Sequence, residues 1–216
     1  MPASSPARKL LADRAYDTLK SSLQSGDYPP GTFLSERRLA SRLGMSKTPV
    51  KEALVRLEME GFLNISPQQG IVVREPSIQE VMDLFDLREA LETFVVRRIA
   101  GRLETDQAAR LRQNLKDQAR ASREKDIPAA TRLDTEFHAM ICEFLGNREL
   151  SQTLWRMREK LNLLILGNLS RNPSRVESST REHAAIAGAI LRGQGDRAAE
   201  LVRRHLEYGR ELMLRR

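Results

Sequence analysis

The chain has 216 residues, a formal net charge of +7 and a pI of about 10.0. This length accommodates one large domain or two small ones, and the charge favours an anionic partner without identifying it. The single cysteine, Cys142, excludes an intrachain disulfide and is expected to be a buried apolar residue in a reducing cytoplasm. No run approaches 18 apolar residues and the N-terminus has no apolar segment, so we expect neither a membrane span nor a signal peptide.

The chain is predicted to divide near Pro76. Residues 1–8 are expected to form a disordered tail, and the first helix is expected at residues 9–23, where apolar residues recur at helical spacing. Residues 9–75 are predicted to form one domain of helices and a hairpin. Residues 76–216 are predicted to form a second, all-helical domain.

Two short helices with a break at Gly44 are the most informative pattern in the first domain. Ser35 and Ser46 are favourable N-cap residues, so a helix is expected to begin after each. The second helix opens with basic and hydroxyl residues, as a helix that contacts base edges and phosphates requires. Two predicted strands, around a turn that includes Gly70, follow it. A hairpin after the second helix of a helix-turn-helix indicates a wing, so the predicted partner is DNA.

The candidate DNA contacts lie in these two helices and at the tip of the wing. Arginine and lysine donate to guanine or to phosphate, and glycine permits close approach of the backbone. The set comprises Arg37, Arg38, Ser46, Lys47, Thr48, Lys51, Gln69 and Gly70. The alternative is that these are solvated residues on the surface of small helices.

The sequence of the second domain has the periodicity of long amphipathic helices joined by short connections, which predicts an antiparallel bundle. Ser77 and Glu80 form a predicted capping box for a helix that reaches about Arg102. Further helices are expected at residues 105–124, 126–145, 148–169, 175–192 and 196–215. The predicted fold class is therefore mostly α, a winged helix-turn-helix followed by an all-helical antiparallel bundle.

An aspartate and the three histidines of the chain form a candidate metal site. Asp134 and His138 are four residues apart, so they share one face of a helix. His183 and His205 lie on the apolar sides of the last two predicted helices. These ligand types inside a bundle suit a divalent transition metal, with zinc and nickel the expected candidates. The alternative is that each histidine is a hydrogen-bonded core residue.

Arg88 falls within the apolar stripe of the first bundle helix. Burying an unpaired guanidinium is costly, so Arg88 is expected to have an anionic partner. That partner is either a helix carboxylate, in an internal ion pair, or the carboxylate of a small effector.

The segment S-E-R-R-L-A-S-R-L-G-M-S-K-T-P-V-K-E-A-L-x-R-L-x-x-E-G-F-L, followed by Gly70, resembles the winged helix of GntR-type transcription regulators over about residues 10–74. The resemblance implies that Arg37, Lys47, Thr48 and Lys51 contact DNA. Lysine stands at positions 47 and 51, where arginine is usual in that family. Because lysine lacks the planar fork of arginine, phosphate contacts at these two positions are an alternative to base contacts.

Residues 76–216 resemble the FCD domain, the all-helical ligand domain of the FadR-like branch of GntR regulators. The segments D-T-E-F-H and R-E-H-x-x-I carry this resemblance. It implies that Asp134, His138, His183 and His205 hold a metal and that the domain senses a small organic acid.

The function that follows is a cytoplasmic, homodimeric, ligand-responsive transcription regulator, with repression as the commoner mode of that family. One alternative is a regulator for which the metal itself is the signal, and another is a regulator with a purely structural metal. A metalloenzyme is the remaining alternative. It requires a general base, and neither Glu136 nor Glu182 is placed to be one at helical spacing.

Overall fold

The computed structural model describes residues 6–66 and 70–214. The chain divides into two compact units, Met1–Pro76 and Ser77–Arg216. The first contains helices and a small sheet, and the described part of the second is entirely helical. The fold class predicted from the sequence, a winged helix-turn-helix followed by a helical bundle, is confirmed.

The N-terminal unit combines a helical layer with an antiparallel sheet whose strand order is β1-β3-β2. Its elements are α1 (Pro6–Gln24), β1 (Phe33–Leu34), α2 (Glu36–Leu43), α3 (Lys47–Met59), β2 (Leu63–Ser66) and β3 (Gly70–Val73). Strand β1 was not predicted. It is two residues long, too short for an alternating pattern, and it exists because Phe33 and Leu34 pair with Val72 and Ile71 of β3.

Helix α1 begins at Pro6, so residues 6–8 belong to the helix and not to the predicted tail 1–8. Residues 1–5 lie outside the described part of the chain. Proline is favoured in the first turn because its fixed φ suits a helix and its missing N–H would have no partner there. The buried side chains Leu19, Leu54 and Leu57 join α1 to α3.

Gly44 supplies the turn between α2 and α3 by adopting the left-handed conformation, with φ of 63°. Ser35 and Ser46 occupy the N-cap positions of these helices in extended backbone, but neither side chain makes a cap hydrogen bond. The two serines therefore predicted the helix starts correctly, but the side-chain capping hydrogen bonds expected from them are absent. The bond depends on the serine rotamer, which the sequence does not determine.

The C-terminal unit is a bundle of long helices: α4 (Ile78–Ile99), α5 (Thr105–Glu124), α6 (Ile127–Glu143), α7 (Arg148–Arg171), α8 (Ser174–Leu191) and α9 (Gly195–Leu214). Its first helix begins with the predicted capping box. The Ser77 hydroxyl accepts from the Glu80 N–H at 3.1 Å, and the Glu80 carboxylate accepts from the Ser77 N–H at 2.9 Å.

The interior of the bundle is formed where α4 packs on α9, α6 packs on α5 and α7, and α8 packs on α5 and α9. Phe137, Ile141, Leu154, Ile186 and Ile190 are fully buried there. Polar side chains of α4, α6, α7, α8 and α9 are buried beside this apolar core, and they form the site described next. None of the described helices combines the length and the apolar character that crossing a bilayer demands.

Candidate metal centre and nucleic-acid interface

Three helices bring the four predicted metal ligands together. Asp134 and His138 lie on α6, His183 on α8 and His205 on α9. One possible ligand atom from each lies within 4.8 Å of all the others. The Nε2 atom of His183 is 3.3 Å from Nε2 of His205 and 3.5 Å from Oδ1 of Asp134. The three imidazoles are buried, so the atoms converge in the interior and not at the surface.

Carboxylates fix the tautomers of two of these histidines. Nδ1 of His138 is 2.6 Å from Oε2 of Glu92, and Nδ1 of His205 is 2.6 Å from Oε2 of Glu182. An ionised carboxylate only accepts hydrogen bonds, so each Nδ1 carries the proton and donates it. In a neutral ring the Nε2 atom then presents a lone pair. Glu92 is completely buried, so water does not compete for its hydrogen bond with His138.

An amide fixes the third histidine in the same way. Oε1 of Gln118 lies 2.8 Å from Nδ1 of His183. The side-chain amide N–H of Gln118 donates to Oδ1 of Asn114 at 2.7 Å, so the oxygen of Gln118 faces the imidazole. All three Nδ1 atoms are therefore donors to the protein, and all three Nε2 atoms are free to accept at the common centre.

The carboxylate of Asp134 is held in its ionised form. Burial alone would raise its pKa, but the adjacent guanidinium of Arg158 lowers the pKa far below its usual range. The Nη2 atom of Arg158 donates to Oδ2 of Asp134 at 2.5 Å. The other oxygen, Oδ1, is the one nearest His183. Asp134 thus offers one oxygen to the centre while Arg158 holds the other.

Burial keeps the neighbouring imidazoles neutral. It lowers the pKa of His138 well below the ordinary value, and Arg158 and Arg88 add to the effect. Burial and the adjacent His205 lower the pKa of His183 to about 3. Neutral imidazole is the form that binds a metal, so these two residues are ready to act as ligands at neutral pH.

Several buried nitrogens at the site make no hydrogen bond within the described part of the chain. They are Nε2 of His138, Nη2 of Arg88, and Nε and Nη1 of Arg158. Arg88 does have an anionic partner, because its Nε donates to Oε1 of Glu92 at 2.8 Å. The internal ion pair considered for Arg88 from the sequence is therefore present. The Nη2 atom of the guanidinium makes no hydrogen bond within the described part of the chain.

A cavity of about 50 Å³ adjoins the four-residue cluster. Its polar lining comprises Arg88, Asp134, Arg175, Ser179 and His205. Its other walls are mainly apolar and include Phe85, Ile165, Leu169 and Leu206. The cavity therefore connects two of the predicted metal ligands with the arginine that was predicted to contact an effector.

The groups that orient the predicted ligands were not expected from the sequence. Glu92 falls four residues after Arg88 on the apolar side of α4, so a buried pair at this spacing was a usable signal. Gln118 and Arg158 sit among buried apolar residues of α5 and α7, which marks them as polar residues in a core. Glu182 was considered only as a general base, whereas it accepts from His205 and from Arg175.

The predicted DNA contacts are exposed in the N-terminal unit. Arg37 and Arg38 lie in the first turn of α2, and Ser46, Lys47, Thr48 and Lys51 lie at the start of α3. Gly70 is exposed, begins β3, and has a φ of 77°, a conformation that favours glycine. Gln69 lies outside the described residues. The cations and hydroxyls thus occupy the beginnings of two neighbouring helices, with the hairpin β2–β3 following in the chain.

Comparison with known proteins agrees with this architecture. Residues 11–73 match the family of bacterial regulatory proteins called gntR, and residues 83–208 match the FCD domain. The chain is 29% identical over 178 residues to the HTH-type transcriptional repressor RspR of Escherichia coli K12, covering 82% of this chain and 78% of that protein. It is 34% identical over 134 residues to the Nta operon transcriptional regulator of Aminobacter aminovorans, covering 62% and 63% of the two chains.

A solved structure described as E. coli McbR/YncC has the same fold. It aligns with a TM-score of 0.82 and 21% identity over 94% of this chain and 97% of that one. The fold and the matched domains define a DNA-binding transcription regulator with an all-helical FCD domain, not an enzyme. The chain belongs to the GntR family of bacterial regulatory proteins and carries an FCD domain.

Proposed function

We propose that this protein is a cytoplasmic, homodimeric repressor that binds operator DNA through its winged helix and senses a small carboxylate through a divalent metal in its FCD domain. The observation that carries the proposal is the convergence of four acceptor atoms in the interior. Three imidazole lone pairs and a carboxylate oxygen repel one another at these distances. A bound cation converts that repulsion into coordination, so the residues present fit a metal.

Asp134, His138, His183 and His205 would hold the ion. Three nitrogens and one oxygen suit zinc or nickel. Metal-bound histidines usually donate their other N–H to a carboxylate or carbonyl oxygen, and each of these histidines has such an acceptor. When bound, the metal supplies a Lewis-acidic position for an anionic group of the effector.

The cavity favours an effector over a purely structural metal. A structural site is closed by its protein ligands. Here Asp134 and His205 both line a cavity, and the unpartnered Nη2 of Arg88 belongs to a residue of the same lining. Arg88 would bind the carboxylate of the effector while Glu92 compensates its remaining charge. The same cavity argues against a regulator for which the metal alone is the signal.

The operator contacts would come from the first turns of α2 and α3. Arg37, Lys47, Thr48 and Lys51 would meet the major groove or its phosphates, as in other members of the family. The hydroxyl of Ser46 makes no cap bond and is available to a phosphate. Gln69 and Gly70 would approach the adjacent groove from the wing.

Homodimer formation is supported by α4. Leu87 and Phe94 are seven residues apart, on one face of this helix, and their exposed fractions are 44% and 50%. Exposed apolar side chains clustered in this way mark interaction surfaces. Effector binding would then shift the population between two placements of the paired winged helices, and so change operator affinity.

The test is operator binding as a function of metal and organic acids. A binding duplex is first selected from random DNA with the purified protein. A panel of small organic acids is then screened for release of that duplex with zinc-loaded protein, beside a His138→Ala/His205→Ala variant. We expect at least one acid to weaken binding by about 5–150-fold in the wild type only. Selection of no duplex, or equal release in the variant, would contradict the proposal.

A further inference from the structure

The exposed face of α3 includes an apolar side chain in line with the proposed DNA contacts. Val55 is 41% exposed. The buried residues of this helix are Pro49, Val50, Ala53, Leu54 and Leu57. At 3.6 residues per turn, Val55 points away from them, within about 20° of Thr48 and about 40° of Lys51 around the helix axis. Val55 therefore shares the face that carries the proposed contacts and not the face that packs in the core.

The packing of the N-terminal unit does not account for a valine at this position. A β-branched residue is a weaker helix former than the lysine and glutamate that precede it at positions 51 and 52. The next residue, Arg56, turns toward α1 and pairs with Asp13 at 2.6 Å, whereas Val55 stays exposed. A single exposed apolar residue is ordinary on a protein surface. What gives Val55 a meaning is its place on the DNA-facing side of α3.

The spacing of Val55 from the other residues of this face suits contact with bases. In the homeodomain, the helix in the major groove contacts DNA through residues at i, i+3, i+4 and i+7. The same spacing is followed by Thr48, Lys51, Glu52 and Val55. Val55 lies about 10 Å along the axis from Thr48, which corresponds to about three base-pair steps. Met59, the next exposed apolar residue of α3, is its last residue and falls outside this spacing.

Resting on the operator contacts proposed above for α3, we propose that Val55 is a specificity-determining residue that contacts the 5-methyl group of a thymine in each operator half-site. In the major groove this methyl group distinguishes thymine from the other bases, and apolar side chains recognise it. Valine can neither donate nor accept a hydrogen bond, so a base whose polar edge faces it loses its hydrogen bonds to water. Because Lys47 and Lys51 lack the planar fork of arginine, neutral residues of this face carry more of the base discrimination.

The test uses uracil in place of thymine, because the two bases pair alike and differ only in the 5-methyl group. A duplex is selected from random DNA with the full-length protein, and each thymine is then replaced in turn. Fluorescence anisotropy at fixed salt concentration measures the affinity. Loss of one buried methyl group should weaken binding about fourfold at one thymine position of a half-site, and much less at the others.

Val55→Ser removes both methyl groups of the side chain, so the thymine and uracil duplexes should bind this variant nearly equally. Leu11→Ser is the matched control. Leu11 is 38% exposed, close to the value for Val55, and lies on α1, outside the proposed operator contacts. This control should keep the fourfold preference for thymine. Circular dichroism checks that both variants fold.

Val55→Gln gives a second, independent readout. Glutamine is a good helix former and pairs with adenine in the major groove. Repeating the selection from random DNA with this variant should therefore replace the thymine at that position, with adenine as the expected base. Selection of the same thymine would overturn the role of Val55.

The outcomes separate this inference from the proposed function. A wild-type protein that is insensitive to uracil at every thymine, or a Val55→Ser variant with the wild-type preference, would overturn the methyl contact and leave operator binding intact. A selected duplex without thymine in its half-sites would do the same. Selection of no duplex at all would overturn the proposed function and this inference with it.

Discussion

At the scale of single residues, the site is defined as much by what holds the imidazoles as by the imidazoles themselves. His183 presents Nε2 to the centre because Gln118 accepts from its Nδ1, and Gln118 is itself held by Asn114. Without that acceptor the ring can rotate or change tautomer. Groups of this kind contribute to metal affinity without contacting the metal.

Replacing Gln118 with alanine should lower metal affinity by about 10–100-fold, because His183 loses the group that orients it. Competition against a chromophoric chelator measures the affinity. Gln113→Ala is the matched control, since Gln113 lies exposed on the same helix and its side-chain amide donates to Asp117 at 3.1 Å. Equal metal affinity in the two variants would show that Gln118 does not orient the ligand.

The buried histidines also predict how stability depends on pH in the metal-free protein. Burial lowers the pKa of His183 to about 3 and that of His138 well below its ordinary value, whereas both titrate near 6.5 when unfolded. Below about pH 6.5 the unfolded state therefore binds protons that the native state does not. Stability should fall on acidification by up to about 1.4 kcal/mol per pH unit for each histidine. At lower pH the depressed pKa of Asp134 acts in the same direction.

Urea unfolding followed by the fluorescence of Trp155, the single tryptophan, reports on the C-terminal unit. We expect the midpoint to fall between about pH 7 and about pH 5, and to fall less steeply in a His183→Gln variant. A midpoint that is independent of pH in this window would refute the buried neutral state of the histidines.

The convergence of these four side chains could be predicted from the sequence, and the residues around them could not. Asp134 and His138 are one helical turn apart, and His183 and His205 fall on apolar faces, so helical periodicity alone indicates that they point inward. The acceptors of His138 and His183 are 46 and 65 residues away in the chain. Such partners are set by how helices pack against each other, and no local pattern encodes that.

At the scale of secondary structure elements, two serines at helix starts have different roles. Ser77 accepts from the N–H of Glu80, whereas Ser46 makes no cap hydrogen bond and lies exposed at the start of α3. Both helix starts were predictable because serine is a preferred N-cap residue. Both serines have the extended backbone of that position. The two-residue strand β1 was not predictable, because only its pairing with β3 defines it.

Ser77→Ala should therefore cost about 1 kcal/mol of stability in the C-terminal unit, through loss of the cap. Ser46→Ala should leave the stability of the N-terminal unit nearly unchanged and weaken operator binding. Chemical denaturation and duplex binding measure the two quantities. A large loss of stability in Ser46→Ala, with unchanged DNA affinity, would assign Ser46 to folding instead.

At the scale of the whole molecule, the net charge of +7 and the exposed cations of α2 and α3 suit a polyanionic partner. A single winged helix reads a short site, and pairing two of them gives the two-fold symmetry that palindromic operators match. The division into two compact units was visible in the sequence as a change from helix-and-hairpin to helix-only patterns near Pro76. The exposed apolar face of α4 that we propose as the dimer interface was not visible in the sequence, because exposure depends on packing.

Leu87→Glu combined with Phe94→Glu should convert the proposed homodimer into monomers, because the substitutions place charges on an apolar face of α4 that we expect to be buried between copies. Sedimentation velocity measures the change. Met59→Glu is the control: Met59 is 82% exposed and lies in the other unit. Dissociation by both substitutions alike, or by neither, would remove α4 as the interface.

Elemental analysis shows whether the four converging acceptor atoms hold a metal ion. The protein is purified without an affinity tag or chelator, beside a His138→Ala/His205→Ala variant. We expect about one divalent metal ion per chain in the wild type and loss of that ion in the variant. Absence of metal from both proteins, with no uptake on reconstitution with zinc or nickel, would contradict this expectation and make the three histidines ordinary core residues.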